Sequence, residues 1–416
     1  MVSVCFYFQV HQPYRLRNYS VFDIGRDMEK KNSYFDNKKN IEVMHKIGKK
    51  CYLPMNQLLL DAIEQHKGDE KEFKVSFSLT GTAMEQFEQY YPDVLQSFRD
   101  LAKTKRVEFL SETYHHSLSF LHSKDEFREQ VDMHRKHIKK TFGFRPSIFR
   151  NTELIYNNEM ARFVEGMGYK GMLAEGWDNC LGWRSPNFIY RPAGCSSMKL
   201  LLKNYRLSDD IAFRFSNKGW NEWPLTVEKY MDWINSVNGN GTNINLFMDY
   251  ETFGEHQWKD TGIFDFMRKL PEAVLNHNDN DFRLPSEIIR KHKPVGELDV
   301  PFTLSWADVE RDLSAWLGNS MQQSAIQKLY QLERDIKRLG DKELLDAWRK
   351  MQTSDHFYYM CTKYFSDGDV HKYFNPYDNP YDGFITFMNI INDLILRMKK
   401  KDGSLYLNEK KPLLSV

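Results

Sequence analysis

Carboxylates, histidines and a tryptophan recur in this 416-residue chain at the ends of short apolar runs. His11 and Gln12 follow the first run. Thr80 and Gly81 follow the second, with Glu85 four residues beyond Gly81, and Glu112, His115 and His116 follow the third. Arg150 and Glu153 close the fourth run, Glu175, Trp177 and Asp178 the fifth, and Asp249 the run INLFMD. Carboxylates taken out of water are costly unless paired or neutralised. Two of them, Glu153 and Asp249, directly follow apolar stretches that lie far apart in sequence. Two carboxyls facing each other across a pocket are what glycoside hydrolysis uses. One attacks the anomeric carbon, and the other stays protonated to assist the leaving oxygen. A single acid after a strand is more often a helix cap or an ion-pair partner; it is the joint pattern that points to chemistry.

Other chemistries find less support. Metal sites need acids and histidines at short spacing, but Gln12 and Pro13 follow His11, and the adjacent His115 and His116 diverge on an extended segment. His134 and His137 stand three apart on a helix that reads as surface, so both are expected to be solvated. No GxGxxG follows a strand and no GxxxxGK[ST] occurs, so no nucleotide cofactor is expected. The Gly-x-Ser-x-Gly elbow of serine hydrolases is also missing. The expectation is no cofactor and no metal, with a zinc deacetylase on a related barrel as the outlying reading.

The elements that must position these residues alternate. Apolar, β-rich runs at 2–10, 73–79, 107–110, 147–151, 170–174, 198–204 and 244–249 read as strands. Helical patterns lie between several of them. Ser123 and Glu126 form a capping-box pattern before Phe127, Val131, Ile138 and Phe142, with Gly143 as the stop. A second helix is expected to start at Asn157 or Asn158. Alternating strands and helices imply a parallel sheet, and seven strands over about 300 residues favour a closed barrel. From Leu304 to about Lys401 the pattern turns helical, interrupted by NPYDNPYDG at 375–383, which is expected to be non-helical. The expected fold is an α/β chain: a (β/α)7 barrel over 1–300, followed by a C-terminal helical bundle over 301–416 that contributes to the active-site cleft.

Composition sets the outer bounds. Hydrophobic residues make up 41% and charged residues 28%, which is globular. A net charge of +1 gives no bulk attraction to nucleic acid or an anionic membrane, and neither is expected as a partner. Five cysteines without a CxxC pair suggest a reducing compartment. The start MVSVCFYFQV reads as a strand rather than a signal peptide, and a cytoplasmic protein is expected.

The motifs resemble those of glycoside hydrolase family 57, and within it the α-amylase-type members. Five short stretches match in order: HQPYR at 11–15, LTGTAMEQ at 79–86, FRNTELIY at 149–156, MDYETFGEH at 248–256 and TLSWADVERDLSAWLGN at 303–319. SDHFYYM at 354–360 and NPYDNPYDGF at 375–384 also look like the family's C-terminal region. The resemblance implies a retaining glycosidase acting on α-glucans such as starch, glycogen or maltooligosaccharides, without a metal. It places the nucleophile on Glu153 and the general acid/base on Asp249. His11 and Gln12 would hydrogen-bond sugar hydroxyls. Glu85, Arg150, His256, Trp306, Asp308 and Trp316 are further substrate-binding candidates, and of the two tryptophans one is expected as a sugar platform and the other as core. Where other branches of the family carry a tryptophan near the end of the fourth stretch, this chain has His256. The alternatives are a 4-α-glucanotransferase or branching enzyme on the same scaffold, or a non-catalytic glucan-binding protein.

Overall fold

The computed structural model describes residues 1–26, 34–363 and 375–403. They form two compact units, one of residues 1–12, 41–114 and 129–312, the other of residues 13–40, 115–128 and 313–416.

The first unit is built on the apolar runs. Strand β1 (Val2–Val10) is buried along its whole length, as a strand covered on both faces must be. It pairs in parallel with β2 (Val75–Leu79), Tyr7 opposite Ser76 and Val10 opposite Leu79. β2 continues to β3 (Val107–Phe109). Ser111 then bridges to β4 (Ile148–Arg150): its N–H donates to the Ile148 carbonyl at 3.0 Å, and its carbonyl accepts from Arg150 N–H at 2.9 Å. β4 pairs with β5 (Gly171–Glu175), and β5 with β6 (Lys199–Lys203). β6 meets β7 (Asn243–Asp249) where Asn204 N–H donates to the Asn245 carbonyl at 2.9 Å and the Asn245 side-chain amide donates to the Leu202 carbonyl at 2.8 Å. β7 returns to β1, from Ser3 opposite Asn243 to Gln9 opposite Asp249. Among the described residues, seven parallel strands thus close into a barrel, with helices in the connections. A short strand β8 (Asn280–Phe282), not expected from sequence, pairs beside the start of β1.

Alternation along the strands decides what fills the barrel. Cys5, Tyr7, Leu110, Ile148, Leu173, Leu201 and Phe247 pack together as one cluster inside it, and Ile288 and Ile289 of helix Pro285–Lys291 join them. The intervening residues face the helices: Phe8 and Phe77 meet at 5.7 Å, and Phe77 packs edge-on against Phe98 of helix Pro92–Lys103.

Helix Lys124–Phe142 ends before Gly143, whose φ is +73°. Only half of the expected capping box forms. Glu126 N–H donates to Ser123 Oγ at 3.1 Å, but the Glu126 carboxylate is buried and bound by Arg349 Nε at 2.9 Å and Lys337 Nζ at 2.8 Å. An ion pair with two cations outweighs one backbone donor. The expectation of solvated histidines is also overturned. His134 is fully buried, with Nε2 2.7 Å from the Leu79 carbonyl, and His137 packs against Tyr114.

The second unit is helical in its C-terminal segment. Helices Ser320–Gln331, Glu333–Leu339, Lys342–Lys350 and Pro380–Lys401 account for most of it. The helical pattern begins at Ser314 rather than Leu304, because residues 304–312 form a turn of irregular backbone with positive φ at Asp308 and Arg311. The second Asn-Pro-Tyr-Asp repeat opens a helix instead of interrupting one. Asn379 accepts from Asp382 N–H at 3.0 Å, and Pro380 takes the first helical position, where no N–H is needed. No helix among the described residues is long and apolar enough to cross a membrane.

Candidate active site

Side chains two apart on a strand point the same way. The interior row of each strand can therefore be followed upward from the apolar cluster, and on six strands it changes character at the next position. Tyr7 is followed by Gln9, Leu110 by Glu112, Ile148 by Arg150, Leu173 by Glu175, Leu201 by Lys203 and Phe247 by Asp249. Ser78 supplies the place on β2. An apolar layer inside the barrel is thus capped, at the C-terminal ends of the strands, by a ring of polar and charged groups. That is the edge where parallel barrels carry their chemistry.

The ring is wired together. Tyr7 OH donates to Gln9 Oε1 at 2.6 Å, and Gln9 Nε2 donates to Glu112 Oε1 at 3.1 Å; Ser78 Oγ also donates to Glu112. Burial pushes the Tyr7 phenol up. The Arg150 charge pulls it down and the Glu112 and Asp249 charges push it up further, so Tyr7 lies within electrostatic reach of both walls of the site. Arg150 is fully buried and lies over the Trp306 ring, 4.8 Å from its centroid. Its guanidinium nitrogens have no hydrogen-bond partner among the described residues.

Glu153 lies just beyond β4. Residues Thr152–Leu154 form a single 3-10 turn, and Glu153 and Leu154 have φ of +56° and +50°. Left-handed backbone at a non-glycine residue costs about 1–2 kcal/mol and persists only where neighbours enforce it. Here they do. Tyr156 and Leu304 exchange backbone hydrogen bonds at 2.9 and 3.0 Å, and Trp306 N–H donates to the Glu153 carbonyl at 3.1 Å. The Trp306 indole Nε1 donates to Glu153 Oε2 at 2.7 Å. The bend puts Arg150 and Glu153, which an extended strand would send to opposite faces, against the same indole. β4 and β7 lie three places apart around a seven-membered ring, so Glu153 and Asp249 enter from opposite walls.

A second charged group sits beside Trp306. Lys203 Nζ lies 5.4 Å from the ring centroid, 3.0 Å from Asp209 Oδ1 and 3.8 Å from Glu175 Oε2. Arg311 approaches Glu175 at 3.9 Å and Asp209 at 3.6 Å and donates to the Trp306 carbonyl. Burial raises the Glu175 carboxyl against the pull of both cations. On the β7 side, Glu251 is buried two residues past Asp249. Tyr52 OH donates to its Oε1, and Gln12 Nε2 donates to the same atom at 3.3 Å. Burial first, then the Asp249 charge, pushes the Glu251 carboxyl up to about 8. Gly254 completes this turn with φ +107°, and a Cβ there would lie 2.0 Å from the Lys50 carbonyl oxygen.

The remaining candidates are dispersed. His11 Nδ1 lies 3.0 Å from Thr80 Oγ1, and Gln12 is buried against Glu251. Glu85 accepts from Tyr114 OH at 2.8 Å. His256 N–H donates to the Glu251 carbonyl at 3.0 Å, and half-buried Asp308 sits on the turn below Trp306. Trp316 belongs to the second unit, 1% exposed, its ring 6.4 Å from Tyr358. That is the core alternative of the two left open for the tryptophan pair. Sequence reasoning did not single out Tyr7, Gln9, Tyr52, Lys203, Asp209 or Arg311. Stepping two residues along each apolar run would have found Gln9 and Lys203; Arg311 and Tyr52 carry no local signal.

Comparison with known proteins agrees with this architecture. The model of glycosyl hydrolase family 57 matches residues 5–301. The chain is 45% identical over 409 residues to a protein of Methanocaldococcus jannaschii named "Putative alpha-amylase", covering 95% of this chain and 85% of that protein. Among solved structures, the GH57-type branching enzyme of Pyrococcus horikoshii superposes with a TM-score of 0.65 at 13% identity, over 97% of this chain and 95% of that one. The 4-alpha-glucanotransferase of Thermococcus litoralis does so with 0.62 at 16% identity, over 86% of this chain but only 56% of that longer one.

Proposed function

The chain belongs to glycosyl hydrolase family 57 and is a glycosidase, and from that premise we propose that it cleaves α-glucans by double displacement on Glu153 and Asp249. Glu153 attacks the anomeric carbon while Asp249 gives its proton to the leaving oxygen, forming a covalent glycosyl-enzyme. Asp249 then takes a proton from water, which attacks the same carbon and releases Glu153. Two inversions return the starting configuration. A retaining pair stands about 5–5.5 Å apart, close enough for direct attack without an intervening water. The observation that carries this reading is the Trp306 indole hydrogen bond to Glu153 at 2.7 Å, next to the buried Arg150 cation. Both favour an ionised, fixed carboxylate, as a nucleophile requires.

Hydrolysis is the leading activity because the 45%-identical relative bears an amylase name. Transfer to a second glucan is the alternative, as structural neighbours named as a branching enzyme and a glucanotransferase share the fold. Maltoheptaose followed by proton NMR tests both. The first product is expected as the α-anomer, with shorter maltooligosaccharides accumulating. A β-anomer first would sink the retaining mechanism, and chains longer than seven units would make transfer the main reaction. Glu153→Gln is expected to abolish turnover.

A further inference from the structure

Tryptophan is rarely left in water, because its ring is the largest apolar surface a side chain offers. Three tryptophans of the barrel unit are nonetheless strongly exposed: Trp183 at 90%, Trp223 at 42% and Trp258 at 53%. A fourth, Trp220, is half-buried against Trp233 at 6.1 Å. They occupy three consecutive loops. Trp183 follows β5, Trp220 and Trp223 follow β6, and Trp258 follows β7, on the strand ends that carry Glu175, Lys203 and Asp249. The loops are tied to one another. Tyr205 OH and Arg206 Nη2, after β6, both donate to Asp178 Oδ2, after β5, at 2.8 Å. Gln257 Nε2, after β7, donates to the Ala212 carbonyl, after β6, at 2.9 Å.

Each ring also has a cation beside it. Arg184 lies 5.3 Å from the Trp183 centroid, Arg214 5.6 Å from Trp220, Lys218 6.0 Å from Trp223 and Lys50 5.8 Å from Trp258. A protein-binding surface would join its apolar residues into one continuous core. Here the indoles are parted: exposed Asn221 and Glu222 stand between Trp220 and Trp223, and Trp183 and Trp258 belong to other loops. Isolated flat apolar faces, each edged by a hydrogen-bond donor, suit a ligand of repeating units with an apolar ring face and a hydroxylated rim. We infer that Trp183, Trp220, Trp223 and Trp258 form a track for polymeric α-glucan across three neighbouring rim loops, an inference that rests on the α-glucan reading above. It names the preferred substrate as a polymer rather than a short oligosaccharide.

Affinity electrophoresis through glycogen-containing gels tests it, with maltoheptaose as competitor. Wild type and Glu153→Gln are expected to be retarded alike. The triple variant Trp183→Ala, Trp223→Ala, Trp258→Ala is expected to bind glycogen at least five-fold more weakly, and its glycogen-to-maltotriose kcat/KM ratio to drop at least five-fold. If the triple variant melts early, Trp183→Ala, at the most exposed position, carries the test with a two-fold loss. Unchanged retardation of a folded variant overturns the track, and so does a wild type that glycogen does not retard. A self-associating protein whose dimer is lost in the triple variant, with no glycogen binding, also overturns it. Retardation without any turnover keeps the track and removes the proposed hydrolysis, so the two readings fail separately.

Discussion

The indole N–H of Trp306 points at the Glu153 carboxylate across 2.7 Å, while the same residue's backbone N–H holds the Glu153 carbonyl at 3.1 Å. Side chain and main chain of one residue therefore fix both ends of another. The hold matters because Glu153 sits at φ +56°, a conformation it would leave if released. Trp306 is itself flanked by the Arg150 and Lys203 cations, so the group that orients the proposed nucleophile sits in a positive field.

Trp306→Phe removes the donor and keeps most of the ring. Loss of one well-placed hydrogen bond at a reacting group costs about 10²-fold in rate. We expect kcat to fall by that order with KM changed less than about three-fold, since a positioning residue acts on the chemical step rather than on uniform binding. Steady-state kinetics on maltoheptaose, with a melting curve to confirm folding, decides it. Wild-type kcat in a folded variant would show the contact to be incidental.

Azide separates the two proposed roles of the acids. In Glu153→Gly, a small anion can enter from the nucleophile's side and displace an activated leaving group once, giving the β-glycosyl azide from an α-glucoside. In Asp249→Gly, the glycosyl-enzyme still forms on Glu153 with an activated leaving group, and azide then attacks from the opposite face, giving the α-azide. NMR of the products reads the anomers. The same anomer from both variants would mean that the roles are wrongly assigned.

The seven strands were legible because each is a short apolar run, and buried parallel strands need such runs on both faces. Closure was only an expectation, since it depends on the Ser111 bridge to β4 and the Asn204–Asn245 contact, which leave no periodic trace. Glu153 and Asp249 stood out as acids directly behind apolar stretches. Arg311 and Tyr52 did not, because they reach the site from an irregular turn and from a connecting helix, and only the folded chain brings them to Glu175 and Glu251. His134 was misread as solvated because the helix pattern shows which residues are apolar, not which polar one is needed to satisfy a buried carbonyl.

Glu251 predicts a pH dependence of stability. Its folded value of about 8 lies above the roughly 4.3 of an unfolded glutamate, so the folded chain holds the proton more tightly. Its contribution is fully present below the unfolded value and is lost as pH rises toward 8, after which the dependence flattens. Glu251→Gln is neutral at every pH and keeps an acceptor for Tyr52 and Gln12. Between pH 5 and 8.5 the wild type is expected to lose at least about 3 °C more in Tm than the variant does. Parallel Tm-against-pH curves would contradict this.

Lys203 and Glu175 give the sharpest test of the charged group behind Trp306. Lys203→Met takes away the cation 3.0 Å from Asp209 and 3.8 Å from Glu175, leaving Arg311 to face both acids. Breaking a buried pair from one side strands the other charge, at a cost of about 3–5 kcal/mol. Glu175→Gln alone should cost less, because its carboxyl is already raised by burial and loses little by becoming neutral. In the double variant only Asp209 remains to be balanced, and Arg311 can do that. Urea unfolding of the four proteins is therefore expected to show the double variant recovering at least half of what Lys203→Met loses, a coupling well outside additivity. If the two losses simply add, the four side chains do not act as one group.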